Sequence, residues 1–210
     1  MWTNCQLLIL TRYPEAGTTK TRLIQELGAS GAALLQKKLS EKTVHQAQLL
    51  TRQSGIKTVV HYSGGSRKKM TAWLGAMEYV EQTEGDLGQR MRQAFTHAVQ
   101  TGAEKIVLIG SDIPDITADL LQSAFTFLKT KEMVIGPSED GGYYLIGMVA
   151  DQATRLLPLL FENMPWSSER LLAITRSRLE TSGSDVAILP TLRDIDLPAD
   201  LTFAREKGLL

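Results

Sequence analysis

The sequence has little cysteine, no long hydrophobic run and no surplus of either charge. Cys5 is the only cysteine among 210 residues, which excludes an internal disulfide and is typical of a protein in a reducing cytosol. No apolar run approaches the roughly 20 residues that a membrane-spanning helix needs. The first residues also lack the charged segment of a signal peptide. We therefore expect a cytoplasmic protein without a membrane partner.

Charge is balanced, and histidine is scarce. The 23 lysine and arginine residues match the 23 aspartate and glutamate residues, whereas a protein that holds nucleic acid through its phosphates usually carries a basic surplus. The short basic cluster Arg67–Lys69 is typical of a solvated helix end. The 3 histidines are too widely spaced to suggest zinc ligands. We therefore expect neither a nucleic-acid partner nor a zinc site.

Apolar runs alternate with segments of helical periodicity along almost the whole chain. This alternation predicts an α/β fold in which a largely parallel sheet is flanked by helices. A length of 210 residues indicates one domain spanning residues 1–210. The predicted strands are Gln6–Leu10, Lys57–Tyr62, Lys105–Ile109, Met133–Gly136, Tyr143–Val149 and Val186–Leu189.

One stretch breaks this alternation. Residues 133–147 have the pattern of a strand, a turn and a second strand. The link between the two strands is too short for a crossover helix, and an antiparallel or edge pairing is the expected result. The sequence therefore predicts a mixed, mostly parallel sheet.

Helices are predicted from capping residues and from helical periodicity. The longest covers residues 32–54, a stretch without glycine or proline between Gly31 and Gly55. Asp196, followed by Pro198, predicts the start of the last helix. The other helical features are Leu87–Gln100, a helix capped by Thr117, Ser168–Thr181 capped by Ser167, and an end of the last helix at Gly208.

The loop after the first strand has the composition of a phosphate-binding segment. Ligands bind beyond the carboxyl ends of the strands in an open α/β sheet, and a helix N-terminus after such a loop favours anions. Pro14 and Thr19 stand where a Walker loop requires glycine. The alternative is a solvated loop whose cations pair with Glu15 and Glu26. The candidate nucleotide-binding residues are Thr11, Arg12, Gly17, Lys20 and Arg22.

Asp112 follows the predicted strand Lys105–Ile109 directly. A carboxylate placed after a buried strand is destabilised by desolvation unless it gains a cation or hydrogen-bond donors. Mg²⁺ and Mn²⁺ prefer one or two carboxylates together with phosphate oxygens, so Asp112 is a candidate metal ligand. A turn or cap role is the alternative for Asp112, and Asp115 equally suits a helix cap.

A turn rich in acid and glycine joins the two strands of residues 133–147. Glycine allows a ligand to approach the backbone closely, but Asp-Gly is also a common hairpin signal, so a plain turn remains an alternative. The candidate acceptor or sugar residues are Glu139, Asp140, Gly141 and Gly142. Aromatic residues that belong either to a sugar platform or to the core are Trp73, Trp166, Tyr143 and Tyr144.

Two alternating carboxylates follow the last predicted strand. Residues i and i+2 of an extended segment face the same way, so Asp194 and Asp196 could complete a metal site. Asp196 equally suits a helix cap, which makes Asp194 the better candidate for a second ligand. Whether this ligand is Asp194, Asp196 or neither stays open at this stage.

Six blocks of the sequence, taken in order, resemble a bacterial family of GT-A-like glycosyltransferases. Its members are associated with radical-SAM or selenium-domain genes, and some are named arsenosugar biosynthesis glycosyltransferases. The blocks cover essentially the whole chain, and they are specific only as a set. They are Leu8–Leu23, Gly85–Met91, Gly110–Asp115, Gly136–Leu145, Met164–Ser167 and Asp194–Pro198.

The resemblance implies a Rossmann-like, three-layer nucleotide-diphospho-sugar transferase fold. It assigns the Arg12–Arg22 loop and Gln89 to the nucleotide, Asp112 to a divalent metal, and the Glu139–Gly142 turn to the sugar or acceptor. Two departures stand out. The Asp-x-Asp motif of many metal-dependent members is replaced by Ser-Asp-Ile-Pro-Asp, and the glycine-rich first loop of related enzymes is reduced to Gly17.

The leading functional hypothesis is metal-dependent transfer of a sugar from a nucleotide-sugar donor to a small-molecule acceptor. Mg²⁺ or Mn²⁺ on Asp112, with Arg12, Lys20 or Arg22, would stabilise the leaving diphosphate. Asp140 is the candidate base or acceptor ligand. One alternative is a nucleotidyltransferase that releases pyrophosphate, and another is a nucleotide-binding protein without catalytic activity.

Overall fold

The computed structural model describes residues 2–210 and contains a mixed sheet of 7 strands in the order β3-β2-β1-β4-β6-β5-β7. Every neighbouring pair is parallel except those that involve β6, which is antiparallel to both β4 and β5. The strands are β1 (Cys5–Arg12), β2 (Lys57–Ser63), β3 (Glu78–Glu81), β4 (Lys105–Ile109), β5 (Met133–Pro137), β6 (Tyr143–Val149) and β7 (Val186–Ile188).

This topology determines where the candidate loops lie. The carboxyl ends of parallel strands meet at one edge of a sheet, and β6 runs in the opposite direction, so its first residue lies at that same edge. The loops after β1, β4 and β7 and the turn between β5 and β6 therefore share one edge. All four segments that the sequence singled out are brought to it.

Helices cover both faces of the sheet. One face packs against α1, α2 and α4, and the other packs against α3, α5 and α6, which confirms the three-layer α/β prediction. No helix within residues 2–210 is both long and apolar enough to span a bilayer. The helices are α1 (Ile24–Ser54), α2 (Arg67–Leu74), α3 (Leu87–Gln100), α4 (Ala118–Phe127), α5 (Ala153–Phe161), α6 (Leu171–Thr181) and α7 (Leu201–Glu206).

Strand β1 shows why the sheet is enclosed on both sides. Its side chains alternate between the two faces. Leu7 and Ile9 pack on the α1 side, whereas Leu8 and Leu10 pack on the α3 side, and all four are buried. A strand that is apolar on both faces is stable only between two layers of helices, so the composition of β1 itself requires the third layer.

Three elements of secondary structure were not predicted from the sequence. The edge strand β3 is only 4 residues long and contains two glutamates, so it lacks an apolar run. Helix α5 carries Pro158, a residue that ordinarily breaks a helix interior. Its apolar residues, among them Leu156 and Leu160, are fully buried on the sheet. Burial thus compensates for the missing backbone donor. The third is α2, of which the sequence indicated only one end: the basic cluster Arg67–Lys69 forms the exposed first turn of this helix, as expected of a solvated helix end.

Two predicted helix starts were wrong. Helix α1 spans Ile24–Ser54 rather than residues 32–54, but Gly28 has a non-helical backbone with a φ of 69°. This glycine, which tolerates a positive φ, separates a short first segment from the main helix, so the predicted start missed that short segment and the first residues of the main helix. Ser167 is not a helix cap, because its own φ is 61° and α6 begins only at Leu171.

The predicted cap at Asp196 was also wrong. The last helical region starts with a short turn at Pro198–Asp200 that leads into α7. The carboxylate of Asp200, rather than that of Asp196, accepts hydrogen bonds from the backbone nitrogens of Asp196 and Leu197, at 3.1 and 2.8 Å. Helix α7 ends at Glu206, two residues before Gly208. The carboxylate of Asp196 is therefore left for other partners.

His61 is a buried polar side chain on the strand next to the edge strand β3. It lies on β2 with 3% of its surface exposed, and its ring centroid is 6.2 Å from that of His97. Its Nε2 atom is buried without a hydrogen-bond partner among residues 2–210. Burial, and secondarily His97, lower the pKa of His61 to about 4.

We expect His61 to make stability sensitive to acid. Below its unfolded pKa of about 6.5, the unfolded chain binds a proton that the folded protein does not. The free energy of unfolding should therefore fall as the pH decreases from about 6.5 to about 4, by roughly 3 kcal/mol at most. Urea denaturation over this range should show a shallower pH dependence for His61→Asn. The exposed His45 gives a control, and equal slopes for His45→Asn and His61→Asn would contradict the assignment.

Candidate active site

A cavity of about 790 Å³ opens at the carboxyl edge of the sheet. Its lining includes a set of apolar side chains, called the apolar wall below, and a set of carboxylates, called the acidic wall. The apolar wall comprises Leu10, Leu87, Met91, Leu108, Ile146 and Trp166. The acidic wall comprises Asp112, Glu139, Asp140, Glu169, Asp194, Asp196 and Asp200. A second cavity, of about 440 Å³, surrounds the start of β1 at the opposite edge, and Lys57 is its only charged side chain.

Lys20 joins three of the loops at this edge. Its Nζ lies 2.8 Å from Oδ1 of Asp112 and 3.9 Å from Oδ1 of Asp196, and it also donates to the carbonyl oxygen of Ile195 at 2.5 Å. The Lys20 side chain is only 3% exposed, whereas that of Asp112 is 46% exposed. The ammonium is therefore a structural cation beneath the cavity wall.

The two oxygens of Asp112 have different surroundings. Oδ1 is buried and has no hydrogen-bond partner among residues 2–210, which leaves the ion pair with Lys20 as its only compensation. Oδ2 is consequently the oxygen that can face the cavity. The backbone is fixed as well, since the carbonyl of Asp112 accepts from the nitrogen of Ile195 at 3.1 Å.

The segment after β7 is held against the β5–β6 turn. The nitrogen of Leu192 donates to Pro137, and the nitrogen of Glu139 donates to Leu192, at 3.1 and 3.0 Å. Further along, Ile195 is fully buried while Asp194 and Asp196 on either side line the cavity. This alternation is the one expected of an extended segment, and it presents both carboxylates to the same space.

The pKa values of the Asp194 and Asp200 carboxyl groups are shifted in opposite directions. Burial, reinforced by the nearby charge of Asp140, raises the pKa of Asp194 to about 6. Burial also acts on Asp200, but the hydrogen bonds from Leu197 and from Arg193 outweigh it and lower the pKa of Asp200. The charged form of Asp200 is thus stabilised by several hydrogen bonds that offset its burial, whereas burial dominates at Asp194.

The carboxylate of Asp140 accepts hydrogen bonds from residues of its own β5–β6 turn. Its Oδ1 accepts from the hydroxyl of Ser138 and, at 2.9 Å, from the nitrogen of Gly142. Gly141 has a φ of 84°, and its carbonyl accepts from the nitrogen of Leu172 in the first turn of α6 at 2.9 Å. The turn is therefore rigid, and Oδ2 is the oxygen of Asp140 that remains without an internal role.

A β-bulge next to this turn sets the direction of the two tyrosines. Gly136 pairs with Leu145 but Pro137 pairs with Tyr143, which leaves Tyr144 as the extra residue. A bulge re-aims the side chains beside it. Tyr143 accordingly packs on the α3 side with the apolar wall, and Tyr144 packs on the α1 side.

Trp166 forms part of the apolar wall because α3 has a glycine beneath it. A Cβ atom at Gly88 would overlap the indole ring of Trp166, so only glycine allows this close approach. The ring also stacks on Phe161, with centroids 6.2 Å apart. Trp73, in contrast, packs against Tyr13 on the other face of the sheet and does not line the cavity.

The predicted site residues divide into two groups. Those that line the cavity are Arg22, Asp112, Glu139, Asp140, Gly142 and Asp194, and Lys20 touches this group through Asp112. Arg22 is 59% exposed and its guanidinium is 2.6 Å from Asp196. The remaining residues, which do not line the cavity, are Thr11, Arg12, Gly17, Gln89 and Gly141.

Two members of the second group have side chains that are used elsewhere. The hydroxyl of Thr11 lies in a buried network, 2.8 Å from Ser40 and 3.0 Å from Ser111. The side chain of Gln89 accepts from the nitrogen of Asp86 and completes the capping box of α3. Neither side chain is free for a nucleotide in this arrangement, so these two assignments gain no support from the geometry.

Several cavity residues were absent from the sequence-based site. Arg193 pairs with Asp200 at 2.9 Å, and this pair fixes the segment that carries Asp194. Glu169 lies in the loop before α6 and approaches the turn through its backbone. No spacing rule marks these residues, because each reaches the cavity only through the packing of a loop.

The sheet order, the three layers and the cavity at the carboxyl edge define a protein of the nucleotide-diphospho-sugar transferase fold. The chain belongs to a family described as "Uncharacterized protein conserved in bacteria (DUF2064)", whose model matches residues 45–168. This match confirms that the chain belongs to a bacterial protein family, as the six sequence blocks indicated. No curated protein matches the sequence.

Solved structures with the same fold include three informative relatives. A protein from Desulfovibrio desulfuricans G20, described as a "putative nucleotide-diphospho-sugar transferase", is 29% identical over 98% of this chain and 93% of that chain, with a TM-score of 0.85. The inositol-1-phosphate CTP transferase from T. maritima is 18% identical over 100% and 96%, with a TM-score of 0.58. A Mycobacterium tuberculosis H37Rv protein in complex with manganese is also 18% identical, over 97% and 99%, with a TM-score of 0.58. The last two comparisons establish the fold alone.

We predict that Gly141 is essential to the turn, with Gly17 as a matched control. Both have a positive φ, 84° and 87°, and alanine in that region costs roughly 1–2 kcal/mol. A Cβ at Gly141 would also overlap the backbone of Glu169, whereas nothing lies within 4 Å at Gly17. In urea denaturation, Gly141→Ala should lose clearly more stability than Gly17→Ala. Equal losses would show that the turn does not depend on this close approach.

Proposed function

We propose that the protein is a metal-dependent glycosyltransferase that moves a sugar from a nucleotide-diphosphate donor to a small-molecule acceptor. The observation that carries this proposal is the meeting of Asp112, Asp194 and the first-loop residues Lys20 and Arg22 at one cavity. The likeness to a relative described as a "putative nucleotide-diphospho-sugar transferase" supports the same class of donor.

The charge of the cavity supports a divalent cation. Its walls carry 7 carboxylates but only the guanidinium groups of Arg22 and Arg193, and each guanidinium is already paired with a carboxylate. A diphosphate entering this space alone would be repelled. A divalent cation would reverse that repulsion, because it attracts both the phosphate oxygens and the carboxylates.

The residues present fit a metal that binds together with the donor. Within residues 2–210, no group of three or more His, Cys, Asp or Glu side chains is arranged to hold a metal ion. Mg²⁺ needs only one or two carboxylates when phosphates supply the other ligands. Asp112, through Oδ2, and Asp194 would hold the ion, and its charge would stabilise the leaving diphosphate.

The chain's own residues have separate parts in this proposal. Arg22, which is largely exposed at the mouth of the cavity, would contact the diphosphate. Asp140 would hold the acceptor hydroxyl or accept its proton through Oδ2, since Oδ1 already accepts two hydrogen bonds. Trp166 and Tyr143 would contact the apolar face of a sugar ring, a surface that aromatic side chains suit.

Asp112→Asn should strongly reduce the transfer, and because it also removes the charge that pairs with Lys20, circular dichroism should be used to select a temperature at which the variant is folded. The substitution keeps the side-chain size but removes the charge, so we expect a loss of about 100-fold or more in kcat/KM. Asp115→Asn is the matched control, because Asp115 is in the same loop but pairs with Lys207 at 2.6 Å. Hydrolysis or transfer from UDP-, GDP- and ADP-sugars with Mn²⁺ is the assay. Full activity of Asp112→Asn would refute the role of this carboxylate.

A nucleotidyltransferase is the second candidate, and the fold shared with a CTP transferase favours it. The two reactions leave different products: a glycosyltransferase releases a nucleoside diphosphate, whereas a nucleotidyltransferase consumes a triphosphate and releases pyrophosphate.

We expect thermal stabilisation by nucleoside diphosphates or their sugars with Mn²⁺, since a ligand that binds the native state stabilises it by mass action. Stabilisation by nucleoside triphosphates alone, together with the release of pyrophosphate, would indicate that the protein is a nucleotidyltransferase instead. Binding without any turnover would instead indicate a non-catalytic nucleotide-binding protein.

A further inference from the structure

Lys20 does not occupy the position that a phosphate-binding lysine would need. Its side chain is 3% exposed and its ammonium is directed at Asp112 and at the carbonyl of Ile195. The backbone of Lys20 is itself left-handed, with φ 46° and ψ 50°, a conformation that is unfavourable for a non-glycine residue. From this backbone conformation the ammonium contacts Asp112, Asp196 and the carbonyl oxygen of Ile195.

The ion pair between Lys20 and Asp112 determines how Asp112 would respond to the loss of the lysine. The buried Oδ1 has no partner among residues 2–210 except this ammonium, so the removal of Lys20 would leave a buried, uncompensated carboxylate oxygen. Breaking one side of such a pair is costly because the remaining charge stays desolvated. A second cation would then be strongly attracted to the same carboxylate.

We propose that Lys20 is a positioning residue that acts as the resident counter-ion of Asp112 and keeps a divalent cation off this carboxylate until a diphosphate is present. The ammonium neutralises Asp112 and lies 3.9 Å from Asp196, so a divalent ion without a nucleotide gains little at this carboxylate and is repelled by a like charge. A diphosphate adds negative charge, and the ion then binds to phosphate and carboxylate together. The inference rests on the proposed metal-dependent function.

The test measures the binding of Mn²⁺ alone to the whole protein by electron paramagnetic resonance of the free ion. Wild type should bind Mn²⁺ weakly without nucleotide and more tightly with UDP, GDP or ADP. Lys20→Met should bind Mn²⁺ alone at least tenfold more tightly than wild type, and its melting temperature should rise on addition of Mn²⁺. Lys20→Gln, which keeps a donor for Ile195, should behave in the same way if Lys20→Met does not fold.

Three further variants separate this effect from a general loss of positive charge. Arg22→Met removes a cation that pairs with Asp196 at 2.6 Å but has no contact with Asp112, and it should gain much less affinity. Lys20→Arg keeps the charge and should gain none. The double variant with Lys20→Met and Asp112→Asn should lose the gain, because the unpaired carboxylate is gone.

The outcomes also distinguish this inference from the proposed function. If wild type binds Mn²⁺ with a nucleotide but neither Lys20→Met nor Lys20→Gln binds Mn²⁺ alone more tightly, the counter-ion role is refuted while the metal-dependent transfer stands. An equal gain in Arg22→Met would likewise refute a specific role of Lys20. If wild type binds no Mn²⁺ with any nucleotide, the metal-dependent function itself fails.

Discussion

The contact between the ammonium of Lys20 and the carboxylate of Asp112 organises the candidate site. It connects the loop after β1 to the loop after β4, and the same ammonium reaches the segment after β7 through the carbonyl of Ile195. A buried ion pair need not add net stability, because desolvation offsets much of its attraction. Its value here is geometric, since it holds one oxygen of Asp112 inward and leaves the other toward the cavity.

The sheet makes this contact possible. Leu7, Leu8, Ile9 and Leu10 are buried on alternate faces of β1, which requires helices above and below and places β1 in the interior of the sheet. Parallel neighbours then bring the ends of β1 and β4 to one edge. The antiparallel β6 adds the Asp140 turn to the same edge without a crossover helix.

Most of this architecture could be predicted from the sequence, because continuous apolar runs such as Lys105–Ile109 and Tyr143–Val149 have one stable placement in a covered sheet. The loops at the site could be located for the same reason. The direction of each side chain could not. Lys20 has a left-handed backbone and a buried ammonium that pairs with Asp112. Asp196 pairs with Arg22, and Asp200 supplies the backbone cap instead. Such choices depend on partners distant in sequence, which no local spacing rule identifies.

The balance of charge around the cavity connects the fold to the chemistry. Under the proposed function, the acidic wall would repel a diphosphate alone, and Lys20 would repel a divalent cation from Asp112. A diphosphate and a cation together would neutralise one another, and the cation would contact Asp112 and Asp194. Interactions between charges strengthen as water is excluded, and apolar side chains such as Trp166 and Leu108 line part of the cavity. The proposed site would therefore bind the complex of metal and nucleotide in preference to either component, and that preference would depend on the position of the buried Lys20 ammonium.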